Sequence, residues 1–503
     1  MATLTAENRV EPQLPVPFAK LGVSLITLAS LVLLLVFASR YGYFGDELYF
    51  LAAGHRLEFS YADQGPVLPL LAYLMDSIAP GSVFALRVPA ALITAGAVFF
   101  AGLLAREFGG GKGAQLLSAT AYASSFFLFL QGHILATNTV DTALWVLITW
   151  FLVRWVRTGN DLLLLGAGIA TAVDMQVKWL IPFFWLSAGV AVLLLGPRRM
   201  LTRPMLWLGA AIVVLSMLPS LVWQANHGWP QLGMSSVVAS EQEFASGRPL
   251  FIPLAIALAG VLGVPLLCYG LWRLVRAEHL RDYRFLVLTT ALLFAVFLVL
   301  NGREYYVAGI FAALMAAGAA ELGRRRLRIP GKTVSGVLTS ASIGSALYVL
   351  PWQPADSVEP VHGQAELATK LSINGQFGWR ELTASTARAY RGLAPHEREG
   401  AVLLAESYWQ ASALDRYGPR YGLPPVYSPS RGFGYFGAPP DSARPALAVG
   451  DRVVFDPICA NLEPVGTADA RLGLPGATKD VPIWRCSGLR APWSVLWPKL
   501  RHL

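Results

Sequence analysis

Two adjacent carboxylates, Asp46 and Glu47, follow directly on an apolar run, residues 18–39, whose single charge is Lys20. A run of that length can cross a bilayer, which takes ~20 apolar residues. The pair therefore stands where the chain leaves the membrane. A charged group costs about 2.5–3.5 kcal/mol at a membrane helix centre, so carboxylates there either line a polar cavity or flank a span in water. Lining a cavity, a carboxylate can take the proton of an attacking hydroxyl or amine within hydrogen-bond reach. His55, Arg56 and the stretch Tyr61-Ala-Asp63-Gln64-Gly65-Pro66 come next. Asp63 reads as a further acid or as a turn-former bonding its own backbone. Tyr49, Phe50, Ala53 and Leu57 have the spacing of a short amphipathic helix lying in the interface. Arg87, near the start of the next apolar run, either snorkels to headgroups or faces an anionic ligand.

More candidates lie further along. Asp141, in Thr137-Asn-Thr-Val-Asp141, reads as a helix cap or as a site carboxylate. Lys178-Trp179 separates two apolar runs, and Gly302-Arg303-Glu304-Tyr305-Tyr306 precedes another. His133 and His227 belong to the same side, yet the seven histidines show no metal-ligand spacing, so no protein-built zinc site is expected. Gly109-Gly-Gly-Lys-Gly113 lacks the Lys-Ser/Thr ending of a phosphate loop and reads as a tight turn.

These residues need a membrane scaffold to position them, and the composition supplies one. With 55% hydrophobic and 14% charged residues, the chain is far from a soluble domain. Apolar runs at 18–39, 83–105, 114–131, 139–153, 162–177, 179–196, 205–223, 251–272, 285–300, 305–321 and 333–350 predict about eleven transmembrane helices, too long at the first run for a cleavable signal. Basic residues concentrate on alternate connections: Arg106 and Lys112; Arg154 and Arg157; Arg198, Arg199 and Arg203; Arg273, Arg276, Arg281 and Arg284; Arg324, Arg325, Arg326, Arg328 and Lys332. The positive-inside rule makes these connections cytoplasmic, together with an N-terminal tail 1–17. The first outer loop 40–82, the segments 132–138 and 224–250, and residues 351–503 then face outward. The net charge of +9 is topology; no basic-aromatic nucleic-acid module appears.

The 351–503 segment reads as a small extracytoplasmic α/β domain. Strand-like runs at 401–405 and 452–455 alternate with helical stretches such as 407–417. Cys459 and Cys486 in an oxidising compartment suggest a disulfide, with two free thiols as the alternative. An excess of Arg over Lys and abundant Ala point to a bacterial source, hence a bacterial plasma membrane.

The acidic segment Asp46-Glu-Leu-Tyr-Phe-Leu-Ala-Ala-Gly54, with Tyr61-Ala-Asp-Gln-Gly-Pro66 and Leu86-Arg-Val-Pro89, resembles family 39 glycosyltransferases of the GT-C fold. That group includes protein O-mannosyltransferases and the aminoarabinose transferase of lipid A. The resemblance extends to Asp141, Lys178-Trp179, Gly302–Tyr306 and the closing Cys486-Ser-Gly-Leu-Arg and Pro492-Trp-Ser-Val-Leu-Trp-Pro segments, which look like a bacterial subgroup. One departure is Gly65-Pro66, where the family usually has a double proline. The resemblance implies a polytopic α-helical GT-C catalytic domain over 18–350. It implies inverting transfer of a monosaccharide, hexose or pentose, from a polyprenyl-phosphate carrier to a glycan, lipid, protein or small-molecule acceptor.

The residues fit that chemistry. One displacement needs one base, assigned to Asp46, with Glu47 orienting it or touching the sugar. The phosphate leaving group needs positive charge, for which Arg87, Lys178 and Arg303 are available. Asp63, Asp141 and Tyr305 complete the expected substrate-binding set. No cofactor is required by this scheme, and a divalent ion bridging Asp46 and the donor phosphate stays open. Two rival classes are a secondary transporter, which usually shows an internal repeat that is absent here, and a non-catalytic membrane scaffold.

The topology is directly testable. In intact cells, a membrane-impermeant thiol reagent should label Cys459 and Cys486 after reduction. Labelling confined to lysed cells would reverse the orientation.

Overall fold

The computed structural model describes residues 16–325, 329–361 and 364–503. Most of the expected tail 1–17, and Arg326 and Arg328 of the basic series, lie outside the described residues. Five helices are long and apolar enough to cross a membrane: Lys20–Phe37, Val83–Glu107, Thr137–Thr158, Pro204–Asn226 and Glu304–Arg324. Gly247–Ala257 and Gly260–Arg276, bent by 95°, form a sixth if taken as one broken span. Shorter helices, Leu162–Met175, Ile181–Leu195 and Phe285–Val299 among them, fill the other apolar runs. Lys112–Ala123, Phe126–Gln131 and Ile329–Val349 complete the set. Each of the eleven runs is therefore helical, although several are broken or too short for a straight crossing.

Burial separates two kinds of apolar surface. Trp145, Trp155, Phe184 and Phe297 are packed inside the bundle, whereas Leu21, Leu186, Leu215 and Val222 are exposed. Exposed apolar area on this scale marks a lipid-facing belt. The basic loops gather at one end of the bundle, where two buried glutamates organise them. Glu107 pairs with Arg154 and Arg157; Glu321 pairs with Arg273, His279 and Arg324. Gly109, at φ +82°, forms the tight turn expected there. Loop 40–82 lies at the opposite end of the Val83–Glu107 helix.

The C-terminal part carries a five-stranded sheet of order β2-β1-β3-β5-β4. Its strands are β1 Ala401–Ala405, β2 Val426–Tyr427, β3 Arg444–Val449, β4 Cys459–Ala468 and β5 Val481–Leu489. β1 runs parallel to both β2 and β3, while β5 is antiparallel to β3 and β4. Cys459 and Cys486 form a disulfide across the β4–β5 ladder. The apolar run 452–455, expected as a strand, is a short helix instead. Asp451 caps it, its Oδ1 accepting from the Val453 N–H at 3.0 Å.

A helix, Tyr408–Tyr417, follows β1 through Ser407. Ser407 and Gln410 exchange hydrogen bonds at its start in a capping box. This helix lies directly on the Gly45–Gly54 helix of loop 40–82, whose other side is covered by Val67–Ile78. The amphipathic reading of 49–57 is corrected accordingly. Tyr49, Phe50 and Ala53 are buried between protein elements, because the C-terminal part covers the face that would otherwise meet lipid headgroups. Val67–Ile78 exposes Leu70, Leu74 and Ile78 instead.

Reciprocal ion pairs fasten the contact. Arg56 forks onto Asp415 at 2.9 and 3.2 Å, and the next residue, Arg416, forks onto Asp76 at 2.7 and 3.0 Å. Bidentate pairs of this kind fix orientation as well as distance.

Candidate active site

The Gly45–Gly54 helix presents Asp46 and Glu47 in its first turn, and the two carboxylates point to different environments. Glu47 is fully buried. Its Oε2 accepts from the Phe44 N–H at 2.8 Å, closing the helix N-terminus, and its Oε1 accepts from the Leu135 N–H at 3.0 Å. Arg87 completes the shell, donating from Nε at 2.8 Å and Nη2 at 2.7 Å. The rest of the Arg87 fork is also occupied, by the carbonyls of Ala38 and Gly42 and by Gln376 Oε1. With side chains 0% exposed, neither partner can reach a ligand in this arrangement. Direct phosphate binding by Arg87 and sugar contact by Glu47 are thereby replaced by positioning: the two side chains spend their hydrogen-bonding capacity on each other and on the backbone of the first loop.

Asp46 is half-buried and faces the sheet-bearing part. Its Oδ1 accepts from the Tyr408 hydroxyl at 2.9 Å and from Trp409 Nε1 at 2.7 Å. Both donors sit just past the carboxyl end of β1, the position where parallel strands commonly present functional groups. Gly45 makes this approach possible, since a Cβ there would lie 2.3 Å from the Trp409 ring. Asp46 Oδ2 has no protein partner among the described residues.

A second carboxylate lies close by. Asp63 Oδ1 accepts from the Tyr49 hydroxyl at 2.8 Å, and its Oδ2 is 4.0 Å from Arg431 Nη1. Burial raises the Asp63 pKa, against the opposing pull of Arg431 and the Tyr49 hydrogen bond. Burial also raises Tyr49 and Tyr408 well above the ordinary phenol value, with the neighbouring carboxylates adding to it. Both phenols therefore stay protonated and serve as donors. Loop residue Gly65 docks on the turn after Leu162–Met175, its N–H reaching Val177 O at 3.4 Å. A Cβ at 65 would meet Gln176 O at 2.0 Å, which explains glycine where the double proline was expected.

Arg431 is the cation beside these acids, and Arg303 and Lys178 lie beyond it. Arg431 leads the segment after β2, at φ +46°, a backbone region that costs a residue with a Cβ about 1–3 kcal/mol. Its N–H donates to His502 O at 2.7 Å, and its guanidinium lies 4.8 Å over the Tyr408 ring. Burial disfavours the Arg431 charge, but Tyr408, Glu241, Asp63 and Asp46 more than offset this and raise its pKa. Arg303 shares Glu241 with Arg431. Lys178 sits over the rings of Tyr306 at 4.5 Å and Tyr305 at 5.2 Å, with Arg303 and Asp141 near. Asp141 is no helix cap. It lies inside Thr137–Thr158, buried beside Asp174 and Trp145 and near Lys178.

The structure thus brings Asp46, Asp63, Lys178, Arg303 and Tyr305 toward one region and sets Glu47, Arg87 and Asp141 behind it. Tyr408, Trp409, Arg431 and Glu241 were not singled out from sequence, and Tyr49 was read there only as part of an interfacial helix face. The capped Ser407-Tyr-Trp after a buried strand was the one local signal; nothing local marks Arg431. Among the described residues no three His, Cys, Asp or Glu side chains converge. Asp63 Oδ2 already faces Arg431, so a hard cation here would have Asp46 Oδ2 as its carboxylate oxygen and would complete its shell with other oxygens and water.

Comparisons with known proteins agree with this architecture. Residues 63–223 match the family model of dolichyl-phosphate-mannose-protein mannosyltransferase, a segment that starts at Asp63 and leaves Asp46 just upstream. The ArnT structure from Cupriavidus metallidurans, bound to undecaprenyl phosphate, superposes with a TM-score of 0.63 at 13% identity, covering 92% of this chain and 97% of that one. Its apo state gives a TM-score of 0.60, also at 13% identity, covering 93% and 98%. The arabinofuranosyltransferase AftD from Mycobacteria gives 0.50 at 14% identity, covering 93% of this chain and 40% of that one. No curated protein sequence matches the chain. The fold is that of the GT-C membrane glycosyltransferases: a multi-pass helical bundle with a small C-terminal sheet.

The positioning role of Arg87 has a measurable consequence. Arg87→Ala strands the Glu47 charge, which for a buried pair costs about 3–5 kcal/mol. Thermal unfolding in detergent should show a large loss of stability, with Arg87→Lys losing less. A wild-type melting temperature combined with weaker donor binding would return Arg87 to the ligand shell.

Proposed function

We propose that this chain is an inverting glycosyltransferase that moves a monosaccharide from a polyprenyl-phosphate carrier to an acceptor on the extracytoplasmic face of a bacterial plasma membrane. The observation that carries the reading is Asp46: one carboxylate oxygen is held by two donors, the other has no protein partner among the described residues, and Arg431 stands near. A base for an acceptor proton needs that combination of fixed direction and free lone pair. The acceptor oxygen or nitrogen attacks the anomeric carbon as the carbon–oxygen bond to the phosphate breaks. Its proton passes to Asp46, and the lipid phosphate leaves with the bonding electron pair.

Phosphate is a stable anion, so no acid is needed on the leaving side. Arg431, Arg303 and Lys178 are the groups proposed to receive its charge, and Arg guanidinium forks suit phosphate oxygens. Asp63, with Tyr49, is proposed to bind sugar hydroxyls, and Tyr305 to flank the phosphate cations. Asp141 supports Lys178 from behind. The fold shared with the undecaprenyl-phosphate-bound ArnT structure supports a polyprenyl-phosphate donor. The lipid carrier also accounts for building the site at the end of a membrane bundle.

Asp46→Asn keeps size and removes basicity, and a general base contributes about 10²–10⁴-fold in rate. Single-turnover transfer should fall by that factor while donor affinity holds. Arg431→Gln should weaken donor binding by about 1.5–3 kcal/mol, the worth of a charge-assisted hydrogen bond. Wild-type turnover in Asp46→Asn would remove the base assignment.

A further inference from the structure

Glu241 belongs to neither group of residues described so far. It lies on the Pro230–Ala245 helix, within the 224–250 connection, and its carboxylate bridges the two arginines. Oε2 accepts from Arg303 Nη2 and Oε1 accepts from Arg431 Nη2. The arginines come from distant parts of the chain, one at the start of a span and one after β2. A carboxylate whose two oxygens each take one guanidinium imitates a phosphate with two oxygens in the same forks.

The helix that carries it is lightly held. Along residues 231–243, Gln242 alone is fully buried, and Leu232 stands 68% exposed. Apart from Val238, which packs against the bundle core, the ties to the bundle named here are polar. Asn301 Nδ2 donates to Ala239 O at 2.8 Å and to Glu243 Oε2 at 2.9 Å, and Gln242 Nε2 donates to Glu304 Oε2 at 3.2 Å. Few apolar contacts characterise segments that open at low cost. Glu241 itself is 35% exposed, whereas Arg303 and Arg431 are 26% and 17% exposed. The anion is thus the most accessible member of its own ion-pair cluster.

We infer that Glu241 is an internal stand-in for the donor phosphate: it occupies the Arg303–Arg431 anion position in the empty enzyme and is displaced when the lipid phosphate binds. This rests on the donor-site reading above and adds a regulatory element to it. A tethered carboxylate competes at the high effective concentration of an intramolecular ligand. Apparent donor affinity is then reduced by the fraction of molecules in which Glu241 is out of the way. The same contact keeps two guanidinium groups compensated between turnovers, and leaving them unpaired in a half-buried site would be unfavourable. Displacement would free the Pro230–Ala245 helix from one of its links to the C-terminal part, so donor arrival and motion of this segment are coupled.

The test is equilibrium binding of undecaprenyl phosphate to the full-length protein in detergent, for wild type, Glu241→Gln and Glu241→Ala. Removing the internal anion should tighten binding by at least about fivefold, the lower end of ordinary coupling between ligands. Glu241→Ala keeps the comparison valid if the amide variant folds poorly. Wild-type binding with unchanged or weaker binding in a folded variant would overturn the stand-in role and leave the donor site intact. If neither wild type nor variants bind the lipid phosphate, the donor-site reading fails, and this inference with it.

Discussion

The buried ion pair between Glu47 and Arg87 is the constraint on which the site depends. It ties the first turn of the Gly45–Gly54 helix to the start of the Val83–Glu107 helix and, through Gln376, to the C-terminal part. It also fixes the backbone around it, since Arg87 holds Ala38 and Gly42 while Glu47 holds Phe44 and Leu135. Two fully desolvated charges are tolerable here because nearly every donor and acceptor has a partner. The neighbouring Asp46 is therefore aimed by an anchor one residue away.

From that anchor the molecule builds a composite site. The bundle and loop 40–82 supply the carboxylates Asp46 and Asp63, together with Lys178 and Arg303. The sheet-bearing part supplies Tyr408 and Trp409 from the end of β1 and Arg431 from the end of β2. The Arg56–Asp415 and Asp76–Arg416 forks hold the two halves in register. Electrostatic stabilisation of a leaving phosphate depends on such preorganisation, because groups already fixed need no reorganisation as charge develops. Glu241 sits between the two parts, bridging Arg303 of the bundle and Arg431 of the sheet-bearing part.

The sequence was most readable where physics acts locally. Apolar runs of sufficient length announced the helices, alternating arginine content separated the two ends of the bundle, and the acidic pair after the first run drew attention to the loop that the C-terminal part covers. The strand at 401–405 and the helix after it were legible from their pattern and cap. Three readings went differently, two of them because of long-range packing. Residues 452–455 carry strand-like residues, but Asp451 caps them as a helix turn. Tyr49, Phe50 and Ala53 have interfacial spacing, yet a helix more than 350 positions away covers them. Arg87 has the charge of a phosphate ligand, and only the fold reveals that Glu47 claims it. The same limit hid Tyr408, Trp409 and Arg431, since no spacing rule links a residue near 46 to one beyond 400.

The central claim is that Asp46 acts through a carboxylate held by the C-terminal part, so the two halves should be energetically coupled in the chemical step. A double-mutant cycle on single-turnover sugar transfer, using Tyr408→Phe, Asp46→Asn and both together, tests this directly. The account predicts that Tyr408→Phe slows transfer in the wild-type background and changes little once Asp46 is Asn. Independent, multiplying effects of the two substitutions would contradict it.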